Sequence, residues 1–203
     1  MRVTAQVKQQ TRARLLEAAE RLVRDEGVDA VTTRDVALAA GVGHGTLFNY
    51  FASREALLLA LCDVFLSRAA VDAERGAPRL ASLEEGLFAY VAACLRRLKP
   101  LRTGAGVLLA SLLAAPDADG AEEGSSDAPA RVRRAIVSAL EGLRVRHRPD
   151  RPLSLTSRQL WASLFVGVVC AWARDASPHQ EDTLALLDQS LAMFVGWLPT
   201  QKR

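Results

Sequence analysis

Apolar side chains recur along the first third of the chain with the spacing of short amphipathic helices. Over residues 11–25 they follow one another at intervals of one and three positions, which predicts one helix with a single apolar face. Gly27 comes directly after that face and is typical of a helix C-cap. Thr32, with Asp35 three positions further on, predicts the start of a second helix that ends at Gly41.

A third short helix is predicted over residues 44–51, with Leu47, Phe48 and Phe51 on its buried side. Ser53 then stands at the N-cap position of a longer fourth helix. Two short helices joined by a tight glycine turn are typical of a helix-turn-helix unit, whose second helix enters the major groove of DNA. The residues at the start of that second helix are small or polar, so its first turn is open toward a partner.

Further helical periods continue through the rest of the sequence, and none of them alternates as a strand does. Proline, glycine and serine separate these periods, most densely in the acidic segment 116–129, which predicts a flexible loop. We therefore expect an all-α protein in two parts, a helix-turn-helix domain over residues 1–53 and a larger helical domain over residues 54–203. The helices of the larger domain are predicted to begin near Arg54 and to cover residues 83–98, 104–114, 130–145, 157–174 and 181–197.

Composition narrows the class of protein. The chain has 203 residues, of which 50% are hydrophobic and 24% charged, so it can bury a core without disulfide or metal support. A net charge of +3 permits nucleic-acid binding without requiring it. The longest apolar stretch, residues 164–173, is shorter than the roughly 20 residues of a membrane-spanning helix. Since no secretory signal is recognised either, we expect a cytoplasmic protein with no membrane contact.

Residues typical of catalytic or metal sites are scattered. Three widely spaced cysteines, Cys62, Cys94 and Cys170, match neither a disulfide framework nor a zinc pattern and are interpreted as reduced core residues. The three histidines are far apart in sequence, and the glycines of residues 41–45 follow no strand, which excludes a dinucleotide-binding loop. We therefore expect neither an enzyme nor a protein with a metal or cofactor.

Residues 33–58 have the sequence TRDVALAAGVGHGTLFNYFASREALL. This segment resembles the DNA-binding signature of the TetR family of transcriptional regulators, and the resemblance extends from Thr11 to Leu61. It implies a mostly helical homodimer that binds a palindromic operator in double-stranded DNA, usually as a repressor, and that a small-molecule effector releases. Two positions depart from the signature, because Phe48 replaces a common tyrosine and Gly43 a common serine.

The matching positions suggest which residues contact DNA. His44, Gly45 and Asn49 would face the bases, and an asparagine can bond adenine through two hydrogen bonds. Lys8 and Arg12, in the basic N-terminal segment, could reach neighbouring phosphates or a minor groove. The residues expected at phosphates or beside the base contacts are Thr33, Arg34, Thr46, Tyr50 and Arg54.

The resemblance further implies that residues 54–203 sense a ligand and dimerise. Few buried charges are evident there, so a hydrophobic or aromatic effector is expected. The candidate pocket residues are Cys62, Phe65, Phe88, Val91, Leu95, Leu108, Leu112, Trp161 and Phe165. Wide apolar stripes on the last two helices predict a dimer interface. It would be formed by Leu160, Leu164, Val168, Trp172, Leu184, Leu187, Leu191 and Phe194.

Two alternatives to a ligand-released repressor follow from the same residues. One is a DNA-binding regulator that responds to a protein partner, which failure to find a ligand or a cavity would favour. The other is a stand-alone helical ligand-binding protein or enzyme, which absence of DNA binding would favour.

Overall fold

The computed structural model describes residues 5–76, 81–113, 128–148 and 153–198 of the chain. Within these ranges the protein consists of α-helices and two short 3-10 helices with no strand, so the all-α prediction is confirmed. The 3-10 helices cover Lys99–Leu101 and Ser111–Leu113. The α-helices are α1 (Ala5–Glu26), α2 (Thr33–Ala39), α3 (His44–Phe48), α4 (Arg54–Gly76), α5 (Leu83–Leu98), α6 (Arg102–Ala110), α7 (Ala128–His147), α8 (Leu155–Arg174) and α9 (Glu181–Trp197).

Most helix ends lie close to their predicted positions. α5 and α9 match the prediction, whereas α1 begins earlier, at Ala5, and α3 ends earlier, at Phe48. Pro100 falls between the helices predicted over residues 83–98 and 104–114, but it lies in the first 3-10 helix, which leads directly into α6. Proline lacks only a donor that the first turn of a helix leaves unpaired, so the chain stays helical there. Residues 116–127 of the predicted loop lie outside the described residues, and Ala128 already begins α7.

Helices α1–α3, here named the head, share a small apolar core. Leu15, Ala19, Val36, Leu47 and Phe51 come from all three helices and the turn after them, and each is at most 3% exposed. Fully burying a leucine or phenylalanine side chain contributes about 1.5–3 kcal/mol. This core fixes the angle between α2 and α3, and therefore the surface that the two helices present together.

Helices α4–α9, here named the body, are arranged around α4. Helices α5 and α7 pack along α4, and α6 lies along α8. A Cβ on Gly106 of α6 would lie 3.2 Å from Cys170 Sγ of α8, so a glycine is what lets these two helices approach so closely. Cys62 and Cys94 are buried free thiols. Burial raises the pKa of Cys62 to about 12, which keeps this thiol protonated and unreactive.

An aromatic cluster connects α5, α8 and α9 in the centre of the body. The rings of Tyr90 and Phe165 lie 6.3 Å apart, those of Trp161 and Phe165 6.4 Å, and those of Trp161 and Phe194 5.7 Å. Trp161 also donates a hydrogen bond from Nε1 to the carbonyl of Ile136 on α7, at 3.0 Å. Such aromatic pairs contribute about 0.5–1.5 kcal/mol beyond the area they bury.

Most of the residues predicted at the dimer interface are buried in the core of the single chain. Leu160 and Leu184 are exposed and Leu164 is half-buried, so their role at an interface stays a prediction. For the other five residues the prediction is wrong, because α8 and α9 use those side chains to pack against their own chain. These buried residues are Val168, Trp172, Leu187, Leu191 and Phe194.

The residues predicted to line an effector pocket also lie in the body core. All are buried except Phe88, which is half-buried. A tightly packed apolar interior gives the same sequence pattern as the wall of an apolar pocket. Their role in effector binding therefore stays a prediction.

Side-chain hydrogen bonds hold the head against the body. Glu20 on α1 accepts two hydrogen bonds from Nη1 of Arg68 on α4, at 2.7 and 2.8 Å, and one from Arg24 at 2.7 Å. Thr103 on α6 donates to Asp29, in the turn after α1, at 3.1 Å. The head is thus connected to two different helices of the body.

Arg54, the first residue of α4, binds main-chain atoms of the head. Its Nε donates to the carbonyl of Val31 at 2.9 Å, and its Nη2 donates to the carbonyl of Val28. Both carbonyls belong to the segment between α1 and α2. The guanidinium therefore holds this segment in place from the start of the next long helix.

Arg12 lies at the junction of head and body. Its guanidinium covers the ring of Phe51 at 5.4 Å from the centroid. Asp63 on α4 and Arg131 on α7 are close by, with Arg131 Nε 3.8 Å from Asp63 Oδ2. Desolvation, and then repulsion from Arg131, lowers the pKa of Arg12. Arg12 is half-buried at this junction, and a contact from it to phosphates or a minor groove stays a prediction.

We expect Arg54→Ala to lower the free energy of unfolding by about 1–2 kcal/mol. This is around the lower limit of the range of about 1.5–3 kcal/mol for hydrogen bonds from a charged group, since the guanidinium is only half-buried. Urea denaturation followed by circular dichroism measures the change. Arg34→Ala is the matched control, because Arg34 is exposed and its removal should change stability by no more than about 0.5 kcal/mol. Equal effects of the two substitutions would contradict the stabilising role of Arg54.

Candidate nucleic-acid interface

The start of α2 is fixed by a complete capping box. Thr32 Oγ1 accepts a hydrogen bond from the Asp35 N–H, and the Thr32 N–H donates to the Asp35 carboxylate at 3.1 Å. The hydroxyl of Thr32 also donates to this carboxylate, and these hydrogen bonds lower the pKa of Asp35. Because both partners are satisfied, the first turn of α2 is held in one conformation.

The turn between α2 and α3 depends on Gly41, whose φ of +67° lies in the left-handed region. The Val42 N–H closes the turn by donating to the carbonyl of Ala37 at 3.0 Å. Gly43 is the N-cap of α3 and offers no side-chain hydrogen bond. No capping side chain therefore covers the first turn of α3, as expected where glycine replaces the common serine at position 43.

His44, the first residue of α3, is oriented by two neighbours. Its Nε2 lies 3.0 Å from the hydroxyl of Thr33, at the start of α2. The ring of Phe48 meets the imidazole edge-on, with the centroids 5.0 Å apart. The two helices of the motif are thus connected directly through side chains on their outer surface.

The side chains of α3 divide into an inner and an outer face. Leu47 is buried against the other helices of the head. The sequence pattern predicts Phe48 on the same buried side, but Phe48 is 43% exposed, so that prediction is wrong. A step of one residue turns a helix by about 100°, which carries Phe48 away from Leu47 and onto the outer face. The outer face also holds four exposed residues of the predicted DNA contact, namely His44, Gly45, Thr46 and Asn49.

The other predicted DNA contacts surround this face to different degrees. Arg34 is exposed, whereas Thr33 and Tyr50 are half-buried. Arg54 differs from them because its guanidinium is bound to the carbonyls of Val28 and Val31. Sequence reasoning missed this contact, since the two acceptors are main-chain atoms more than twenty positions away along the chain.

A small cavity lies in the body between α4, α5 and α7, with a volume of about 90 Å³. The hydroxyl of Tyr90 is buried and has no oxygen or nitrogen partner among the described residues, although the Cys94 thiol lies beside it. Burial raises the pKa of Tyr90 well above its ordinary value. None of the residues predicted for the effector pocket lines this cavity. Its lining consists of Ala70, Ala73, Glu74, Tyr90, Ser138, Ala139, Gly142, Leu143 and Arg146.

One feature of the sequence indicates this cavity, although none of the predicted pocket residues takes part in it. Small residues recur at helical spacing, with Ala70 and Ala73 on α4 and Ala139 and Gly142 on α7. Facing small residues leave space between two helices where larger side chains would interdigitate.

In the described part of the chain, no group of three or more His, Cys, Asp or Glu side chains could hold a metal ion. Nor does that part contain a helix with the length and apolar character needed to cross a membrane.

Comparison by sequence finds one family at the N-terminal end. The family model described as "Bacterial regulatory proteins, tetR family" matches residues 15–61. The HTH-type transcriptional regulator TtgR of Pseudomonas putida is 40% identical over 63 residues. These residues span 31% of this chain and 30% of TtgR, so the sequence match covers less than a third of that relative.

Comparison by structure extends the similarity over the whole fold. A TetR transcriptional regulator from Rhodococcus sp. RHA1 superposes with a TM-score of 0.65 at 21% identity, over 95% of this chain and 99% of that one. FadR of Thermus thermophilus, a TetR-family repressor in complex with lauroyl-CoA, gives a TM-score of 0.60 at 22% identity, over 94% and 97%. At these identities the likeness shows the fold.

The sequence match covers the helix-turn-helix whose geometry is described above, and the structural match covers the body that carries it. Residues 15–61 therefore have the sequence and the geometry of a TetR-family DNA-binding domain, and the whole chain has the fold of the solved TetR-family regulators.

Proposed function

We propose that this protein is a DNA-binding transcriptional regulator of the cytoplasm that acts as a homodimer on a palindromic operator, as a repressor released by an apolar effector. One observation carries the proposal. The outer face of α3 presents His44, Gly45, Thr46 and Asn49 to solvent on a motif held by a capping box, a glycine turn and a buried core. That motif lies within the matched residues 15–61.

The contacts are proposed to divide between bases and backbone. Asn49 and His44 would reach base edges, Asn49 through paired hydrogen bonds to adenine. Arg34, Thr33, Thr46 and Tyr50 would bind phosphates and fix the position of α3. Arg54 is proposed to act by positioning, because its guanidinium already holds the segment before α2.

The homodimer is supported by an apolar surface that the single chain leaves exposed on α8 and α9. Met193 is 76% exposed and Trp197 49% exposed, on a helix that also exposes Leu184 and Leu186. Leu160 is also exposed, on α8, and a Cβ at Gly167 or Gly196 would meet open space. Clustered exposed apolar side chains mark an interaction site, and a two-fold contact would pair the surface with its own copy.

The effector is proposed to bind in the body, at the cavity beside Tyr90. Five small or apolar residues of the lining stand beside the buried hydroxyl of Tyr90, the hydroxyl of Ser138 and the charged Glu74 and Arg146, which suits an apolar molecule carrying a polar or charged group. The structurally similar FadR of Thermus thermophilus binds lauroyl-CoA, which supports an acyl chain as the apolar part. A volume of about 90 Å³ is too small for a whole chain, so binding would select a more open body.

In-vitro selection of random duplex DNA at about 0.15 M salt, where non-specific phosphate binding is suppressed, tests the function itself. We expect a palindrome whose half-sites lie about 10 base pairs apart, or a multiple of that spacing. Asn49→Ala should cost about 1–3 kcal/mol on the selected site and relax the choice of one base in each half-site. Arg34→Ala should weaken binding to all sequences and lower the salt slope by about one.

Equal losses from Asn49→Ala and Arg34→Ala on every sequence would contradict this division between base and phosphate contacts. Absence of any enriched sequence from the folded protein would contradict DNA recognition, and would favour a stand-alone helical ligand-binding protein or enzyme.

Met193→Glu tests the dimer surface. Pairing two copies of this face would bury two carboxylates without partners, so we expect the dimer dissociation constant to rise at least about 100-fold. Sedimentation equilibrium measures it. Val107→Glu is the matched control, because Val107 is 83% exposed on α6, outside the α8–α9 surface. A dimer that tolerates Met193→Glu as well as it tolerates Val107→Glu would show that the copies pair elsewhere.

Gly142→Leu tests the effector site. A leucine there would fill the cavity from α7, so we expect lauroyl-CoA to release the selected duplex at least about tenfold less effectively than from the original protein. Fluorescence anisotropy of the labelled duplex measures the release. Ala110→Leu, on the exposed end of α6, is the control. If lauroyl-CoA leaves the duplex bound to the unaltered protein, the acyl-chain assignment is wrong.

A further inference from the structure

A second recess, here named the joint groove, follows the C-terminal half of α4. It consists of two adjoining clefts of about 680 and 300 Å³ that share Asp72 and Arg97. Its walls come from the end of α1 in the head, from α4, and from the end of α5 with the 3-10 helix after it. The groove therefore lies where head and body meet, apart from the outer face of α3.

The joint groove contains far more positive than negative charge. Asp72 is its single acidic lining residue, and Glu20, just beyond, is paired with two of its arginines. Asp72 accepts hydrogen bonds from Arg97 at 2.6 and 2.8 Å and lies 3.8 Å from Arg75. Six cations stand against these two carboxylates, namely Arg24, Arg68, Arg75, Arg96, Arg97 and Lys99.

Two of these six cations have no ion-pair partner among the described residues. Arg96 and Lys99 are exposed, and neither makes an ion pair or side-chain hydrogen bond within the described part of the chain. The ends of α1, α4 and α5 each contribute only about half a negative charge. Among the lining residues and Glu20, three such helix ends do not balance the excess of four cations, so the lining of the groove is positively charged.

We propose that the joint groove binds a small molecule carrying two or more phosphate groups. Arginine presents paired donors that match phosphate oxygens, and Arg97 is already held in place by Asp72. The larger cleft has room for a nucleotide-sized ligand. Since Arg24 belongs to the head while Arg96 and Lys99 belong to the body, one polyanion contacting all three connects the two parts. This site goes beyond the proposed function, and its binding needs no DNA.

Isothermal titration of the full chain with inorganic triphosphate, without DNA and at about 0.15 M salt, tests this site. We expect saturable binding of one triphosphate per chain. Arg96→Gln should weaken it at least about tenfold, as expected for the loss of a charge-assisted hydrogen bond, and Arg96→Gln with Lys99→Gln should weaken it further. Because both residues are exposed, the circular dichroism and thermal unfolding of the variants should be unchanged.

Arg174→Gln is the matched control, since Arg174 is also an exposed arginine in the last turn of a helix. It should leave triphosphate binding unchanged. No binding to the unaltered protein, or equal losses from Arg96→Gln and Arg174→Gln, would overturn the proposal. So would a double variant that binds triphosphate normally but has lost affinity for a non-specific DNA duplex, because the groove would then belong to the nucleic-acid surface.

Discussion

The packing of α4 against both parts of the molecule is the constraint on which the rest of the structure depends. Its first residue, Arg54, holds the segment between α1 and α2, and Arg68 binds Glu20 of α1 more than three turns further on. Between these contacts, Phe65 and its neighbours are buried in the body core. A tilt of the body that carried α4 with it would therefore change the direction of α3.

The exposed polar contacts between head and body are individually weak. Arg68 is 44% exposed where it meets Glu20, and an exposed ion pair contributes about 0–1 kcal/mol. By contrast, each large side chain in the core of the head contributes about 1.5–3 kcal/mol. Each exposed polar contact between head and body is therefore worth less than one buried side chain of the head, and the apolar core that runs through both parts keeps them together.

Local patterns explain why so much of the fold was predictable. The capping box of Thr32 and the left-handed Gly41 depend on residues within a few positions of each other, so the sequence shows them directly. Contacts between residues far apart in the chain have no local sequence pattern. The hydrogen bonds from Arg54 to the carbonyls of Val28 and Val31 are an example. The sequence pattern predicts the outer face of α3 correctly except at Phe48. It places this side chain on the buried side, whereas Phe48 is exposed.

The predicted dimer interface differs from the structure for another reason. An apolar stripe has the same sequence signature whether it faces the core of its own chain or another copy, so Trp172 and Leu191 were assigned to the interface although they are buried. What separates the two cases is the position of the helix in the fold. Only the packing of α8 and α9 on the body shows that Met193 and Trp197 are among the apolar side chains left exposed.

The C-terminal half of α4 also separates the two recesses proposed as ligand sites. Ala70, Ala73 and Glu74 line the cavity beside Tyr90, whereas Arg68, Val71, Asp72 and Arg75 line the joint groove. At about 100° per residue these two sets lie on opposite faces of one helix. If an apolar effector widens the cavity by displacing α4 and not α5 or α7, α4 moves toward the groove, where Arg68 and Asp72 bind partners on α1 and α5. The two ligands would thus act on one helix from opposite sides, and by linkage each would change the affinity of the other by the same factor.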